Sequence, residues 1–189
     1  MGSKKFRSLA PGFLLATPTL LDPNFHRTVV LLFHHTPEGA IGLVINRSSG
    51  RRLGELLEQA NLTARLPALC DLPIQIGGPV APGSGWIVFE GDDPTGTSFR
   101  VQNDLRVTGS LDLFKRLLEE GPSGAMAFML GYSGWGPGQL DREMEEGAWL
   151  TAPVTREILF ERPMEARWRH AYLSLGINPD LWTPTPGEA

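Results

Sequence analysis

Eleven glycines and prolines crowd into two short stretches of this chain, six within residues 77 to 85 and five within residues 131 to 138. Backbone so interrupted cannot run as uniform helix, and each stretch must turn the chain or bring two backbones close together. Over the whole sequence 38 of 189 residues are Gly or Pro. That is about 20% against a usual share of about 12%, with no G-X-Y period and no low-complexity tract. The expectation is a folded domain with many shaped turns.

A hydrophobic share of 41% and a charged share of 20% suit one globular domain whose core needs no disulfide or metal staple. Cys70 is the single cysteine, which excludes zinc fingers, C-x-x-C redox motifs and disulfide scaffolds. The formal net charge is −4, and the one basic cluster, Arg47, Arg51 and Arg52, runs into Glu55 and Glu58. Direct nucleic-acid binding is therefore not expected. Lys4, Lys5 and Arg7 ahead of Phe13, Leu14 and Leu15 imitate a signal peptide. Pro11, Gly12 and Pro18 break that run and no small-x-small site follows before Asp22, so the chain reads as cytoplasmic. No stretch reaches the roughly 20 apolar residues of a membrane-spanning helix.

Strands are expected at Phe13 to Ala16, Thr28 to His34 and Ala40 to Asn46, the last two joined by a Thr-Pro-Glu-Gly turn. Strict alternation puts His34 on the face of Val30 and Leu32, and His35 on that of Val29, Leu31 and Phe33. A helix follows from about Arg52 to Ala60. Ile74 to Ile76 and Trp86 to Glu90 read as strands around the first glycine stretch, with weaker strands at Ser98 to Val101 and Leu105 to Val107. Ser110 caps a second helix that Gly121-Pro122 stops. Ala125 to Leu130 is an apolar strand, residues 131 to 136 a loop, and a third helix starts near Pro137. The last helix runs from about Met164 to Leu175, with Gly176 and Ile177 placed for a Schellman-type end. The pattern predicts an α+β fold: one compact domain with a mixed β-sheet flanked by about four helices, over residues 9 to 182. Residues 1 to 8 and 183 to 189 are expected to be loose ends.

Four ordered motifs carry a family resemblance. They are Pro11-Gly12-Phe13-Leu14-Leu15-Ala16 with Leu21-Asp22-Pro23-Asn24-Phe25; Glu38-Gly39-Ala40-Ile41-Gly42-Leu43-Val44-Ile45-Asn46-Arg47; Gly77-Gly78-Pro79-Val80; and Gly131-Tyr132-Ser133-Gly134-Trp135-Gly136-Pro137-Gly138-Gln139-Leu140. With them the chain resembles the YqgE/AlgH family of bacterial proteins, also called UPF0301 or DUF179, from about Leu9 to Leu181. The resemblance implies a complex α+β domain in the cytosol, in a family loosely labelled as transcriptional regulators and without an established biochemical activity. No helix-turn-helix with a basic recognition helix accompanies that label here. Relatives often carry Leu-His where this chain has Phe89-Glu90, so histidine chemistry is not expected at that point.

Ser133 is the candidate nucleophile of a serine hydrolase, with Asp141 and His170 downstream in the order used by α/β-hydrolases. Trp135 stands where a nucleophile elbow needs Gly, and similar family members commonly carry Ala at the Ser133 position, so catalysis is not the favoured reading. His26, His34, His35 and His170 lack metal-ligand spacing, and no metal or cofactor is expected. Asp141 and Glu145, one helical turn apart, read as a solvated helix face. The glycine stretches lack the phosphate-loop and dinucleotide fingerprints. The favoured reading is a non-enzymatic domain that binds a small ligand or a protein, monomeric, with any regulatory effect passing through a protein partner rather than DNA. Its candidate surface comprises Asn46, Arg47, Gly77, Gly78, Pro79, Gly131, Tyr132, Trp135 and Gln139, polar or aromatic residues lodged in glycine-shaped turns.

Overall fold

The computed structural model describes residues 6–182. Of the expected loose ends, residues 1–5 and 183–189 lie outside the described residues, while Phe6 sets its ring edge-on against His35 at 4.9 Å. Among the described residues are ten strands: β1 (Gly12–Ala16), β2 (Val29–Thr36), β3 (Gly39–Val44), β4 (Ser48–Arg52), β5 (Pro73–Ile76), β6 (Val80–Glu90), β7 (Phe99–Gln102), β8 (Leu105–Thr108), β9 (Met126–Trp135) and β10 (Trp149–Ala152). The described α-helices are α1 (Leu53–Gln59), α2 (Pro67–Cys70), α3 (Leu111–Glu120), α4 (Gln139–Glu145) and α5 (Met164–Ser174), with a π-helical turn at Glu157–Glu161 and a 3-10 turn at Pro179–Leu181. The fold is α+β with a mixed sheet.

Eight strands follow one another in the order β10-β1-β2-β3-β9-β6-β8-β7, and off this path β5 pairs with β9 and β4 with β5. The β5–β9 pairing is parallel, and the other described pairings are antiparallel. The path coils until its ends meet, where the Gln102 amide at the end of β7 donates to the Val154 carbonyl just past β10 at 3.2 Å. Each of the eight strands sends apolar side chains into one central core, among them Phe13, Leu31, Leu43, Val88, Val101, Val107, Met129 and Ala152. The α5 helix plugs one end of that core: the Trp168 indole and the Tyr172 hydroxyl both donate to the Ala16 carbonyl, at 2.9 and 3.1 Å. Aromatic rings close the other end, Phe33 lying 5.4 Å from Trp86 and 5.0 Å from Phe99. A second core lies under α1 and α3, around Leu57, Phe89, Phe114 and Phe128. The third, under α4, holds Val30, Leu32, Trp135, Leu140 and Trp149.

The β9 strand belongs to all three cores, because its alternation inverts once. Met126 and Phe128 face the second core, and Ala127 and Met129 the central one. Gly131, at φ +72°, then shifts the register, so that Tyr132 faces the central core and Trp135 the third. A one-residue shift in a period-two pattern moves every later side chain to the opposite face. The expectation of a loop at residues 131 to 136 is therefore corrected, since these glycines lie within or next to a strand that runs to Trp135. In the first glycine stretch β6 likewise begins at Val80, with a register shift before Gly85.

Further corrections follow from local geometry. The third helix starts at Gln139 rather than near Pro137, behind Gly138 in the left-handed region. In β2 a bulge between Leu32 and His34 exchanges the faces of the two imidazoles. His34 thus lies 5.8 Å from Phe99, and His35 points at Asp141 of α4, 3.6 Å away. Short β4, α2 and β10 were not expected. Read correctly were the Ser110 cap, whose hydroxyl accepts the Leu113 N–H at 3.3 Å, and the Schellman end of α5. There Gly176 donates to Leu173 at 2.9 Å and Ile177 to Tyr172 at 3.1 Å.

Gly131 and Gly147 form a matched pair of positive-φ glycines, at +72° and +74°. A Cβ on Gly147 would meet nothing within 4 Å, whereas one on Gly131 would sit 2.5 Å from the Gly78 carbonyl oxygen. Gly147→Ala should therefore cost only the left-handed backbone penalty of about 1–2 kcal/mol. Gly131→Ala should cost about 3 kcal/mol or more, because the backbones must also part. Urea unfolding of the two variants measures the difference, and equal losses would contradict the close-contact account.

Candidate functional site

Three of the sequence motifs meet in space. The Gly77 N–H donates to the Leu130 carbonyl at 2.8 Å, and its own carbonyl accepts from the Val44 N–H at 2.8 Å and from the Ser133 hydroxyl at 3.1 Å. A Cβ on Gly78 would lie 2.3 Å from the Tyr132 carbonyl group, so this approach requires glycine. The Arg47 carbonyl accepts the Ile76 N–H at 2.9 Å. Together these bonds clamp the end of β3 and the β5–β6 turn onto the middle of β9.

The clamp leaves a cleft of about 190 Å³ lined by Asn24, Val44, Arg47, Ile76, Gly78 and Pro79. Arg47 is the charged residue among these, and one of its terminal nitrogens donates to the His26 carbonyl at 3.1 Å. Ile76 is 42% exposed and forms an open apolar wall. Asn46 does not line the cleft. Its side-chain oxygen accepts the Val29 N–H at 2.8 Å and its amide donates to the Arg27 carbonyl at 2.9 Å, which closes the entrance to β2. Tyr132 turns inward against Trp86, with ring centroids 5.8 Å apart.

Trp135 and Gln139 belong to a different cluster, centred on Glu143. One carboxylate oxygen accepts the indole N–H groups of Trp135 and Trp149 at 2.9 and 2.8 Å, and the other accepts the Gln139 amide at 2.9 Å. Phe25 packs beside both indoles. These contacts fix α4 to the sheet, satisfying two buried donors. Sequence reading passed over Glu143, since the pairing depends on a strand and a helix meeting in space.

Arg167 was also missed. It is 5% exposed and sits behind the cleft, its Nε donating to the Arg162 carbonyl at 2.9 Å and one terminal nitrogen to the Ile45 carbonyl and, at 3.4 Å, to the Gln75 side chain. Burial lowers its pKa to about 10, with Glu165 acting in the opposite direction, so the group stays charged at neutral pH. No carboxylate lies within 4.0 Å of it among the described residues.

The hydrolase candidates are dispersed. Ser133 is fully buried in the β9–β3 pairing, opposite Gly42, with its hydroxyl engaged by Gly77. Asp141 faces His35, and His170 sits 3.3 Å from Glu157. His26 hydrogen-bonds through Nδ1 to the Leu20 carbonyl at 3.1 Å. At the Phe89-Glu90 departure, Phe89 is buried and the Glu90 carboxylate accepts from the Ala125 N–H at 2.6 Å and from Arg156 at 2.7 Å. The Arg156 hydrogen bond holds the Glu90 carboxyl below the usual glutamate range. Ser133→Ala is expected to cost about 1 kcal/mol through the lost hydrogen bond, and a fluorophosphonate probe should leave wild type unlabelled. Labelling that vanishes in Ser133→Ala would contradict this geometry.

Comparison with known proteins agrees over nearly the whole chain. The AlgH-like family model, DUF179, matches residues 13–180. A UPF0301 protein of Methylococcus capsulatus is 38% identical, over 95% of this chain and 96% of the relative. One from Vibrio parahaemolyticus is 36% identical, over 96% and 100%. The solution structure of AlgH from Pseudomonas aeruginosa, also UPF0301, superposes with a TM-score of 0.75 at 39% identity and covers 100% of both chains. A crystal structure from Corynebacterium diphtheriae shares the fold at 19% identity, with a TM-score of 0.69 and coverage of 97% of this chain and 92% of that one. The chain belongs to the AlgH-like family of UPF0301 proteins.

Proposed function

We propose that this protein is a non-enzymatic binding domain acting in the cytoplasm, and that its recognition site is the cleft beside Arg47, Gly78 and Pro79. The observation that carries the reading is the convergence of three separate motifs on one cleft with an open apolar wall and a single lining charge. Concave sites with few polar groups set into an apolar lining are the usual form of a ligand site. Gly77 and Gly131 belong to the site as scaffold, and Trp135 and Gln139 stand outside the cleft in the Glu143 cluster, Trp135 sharing the third core with the cleft residue Val44. Regulation, where the family label applies, would pass through the bound ligand or a protein partner. A net charge of −4 disfavours a backbone-tracking DNA surface.

A metabolite and fragment screen by amide-resolved NMR tests this. Binding is expected to perturb Asn24, Arg47, Ile76 and Gly78 first. Perturbations confined to another face, such as the apolar groove lined by Leu56 and Leu62 beside α1 and by Leu111 and Phe114 of α3, would overturn the assignment. DNA binding that falls steeply with salt would overturn the indirect regulatory role.

A further inference from the structure

The cleft stands in an unbalanced electrostatic field. Arg47 lines it and takes part in no ion pair among the described residues. Val44 and Ile76, two of its walls, each adjoin a residue that accepts from the buried Arg167 guanidinium, Ile45 and Gln75. That charge therefore lies behind the sheet that forms the cleft floor, out of reach of solvent screening. Arg27, at the end of the turn that supplies Asn24, is exposed and holds its guanidinium 5.4 Å from the Trp168 ring. Of the neighbouring carboxylates, Asp22 accepts the Asn24 N–H at 2.7 Å and Glu165 acts on Arg167 from α5, and neither lines the cleft. Arg47 spends one donor on the His26 carbonyl, and a guanidinium carries five.

We propose that the cleft binds a small molecule that presents an anionic oxygen group, carboxylate or phosphate, to Arg47 and a compact apolar group to Ile76, Val44 and Pro79. The inference rests on the cleft being the recognition site and adds the ligand class. Size agrees with it: about 190 Å³ holds one ring or a short branched chain, since a benzene ring fills a dry cavity of about 150 Å³. The arginine fork suits both oxygen groups by bidentate geometry.

The test is an NMR titration with benzoate, phenyl phosphate and the neutral benzyl alcohol, following the Gly78 and Ile76 amides and the Arg47 side chain. Saturable shifts with at least one anion are expected, with benzyl alcohol weaker by about tenfold or more, the usual effect of one charge-assisted hydrogen bond. The tighter of the two anions identifies the head group. Arg47→Gln should weaken the anion by a similar factor, and Arg65→Gln, at an exposed arginine outside the cleft, should leave it unchanged. In wild type alone, raising KCl from about 50 to about 300 mM should weaken the anion and not the alcohol, a readout that needs no folded variant. Equal binding of alcohol and anions, with no salt dependence, would overturn the ligand class and leave the cleft as the site. No shift from any probe at these residues, with other fragments binding elsewhere, would overturn both.

Discussion

Two peptide backbones touch where no side chain could fit, at Gly77-Gly78 and Gly131, and much of the molecule is arranged around that contact. A Cβ on Gly77 would stand 2.4 Å from the Gly131 carbonyl oxygen, and one on Gly131 would stand 2.5 Å from that of Gly78. The positive φ of Gly131 inverts the alternation of β9, so one strand pairs with β5 before that glycine and with β3 after it, while β6 runs beside it from Met126 to Tyr132. Without the inversion Trp135 and Tyr132 would exchange faces, and neither the aromatic end of the central core nor the Trp135–Glu143 anchor could form. The cleft is a by-product of the same geometry, because Gly78 and Pro79 form its rim only while the β5–β6 turn is pressed against β9.

Three polar side chains hold distant segments to this frame. Asn46 acts as an extra rung between β3 and β2, Glu143 gathers two indoles and an amide under α4, and Arg167 ties α5 to carbonyl and amide groups near the cleft. Each satisfies buried donors or acceptors that would otherwise cost free energy. Arg167 differs from the others because its hydrogen bonds go to neutral groups and no carboxylate touches it among the described residues, Glu165 acting on its charge from farther off. A buried cation without a counter-ion in contact is costly, and a bound anion at the cleft would relieve part of that cost.

Legibility in the sequence followed the range of the interactions. Local rules located α3, with its serine cap, and α5, with its glycine end, and apolar runs located β1, β2 and the first half of β9. Glycines concealed the rest of β9, since Gly131, Gly134 and Gly136 read as a loop unless the partner backbone that fills their missing side chains is known. The polar Ser-Ser-Gly-Arg-Arg of β4 carries no alternation, and the bulge that swaps His34 and His35 leaves no mark in composition. Motif reading grouped Arg47, Gly78 and Pro79, which line one cleft, yet it placed Trp135 and Gln139 in the same surface and overlooked Glu143 and Arg167. Arg167 meets Ile45 from 122 residues away, a distance over which no periodicity carries information.

The central claim is that the glycine contact makes sheet and cleft one cooperative unit, and native-state hydrogen exchange measures this directly. The Gly77 amide, bonded to Leu130, and the Val44 amide, bonded to Gly77, should exchange only through global unfolding, with the same free energy as Met129 in the core. Exchange of Gly77 and Val44 through a low-energy local opening, while Met129 stays protected, would show that the turn merely rests on β9 and would contradict the account.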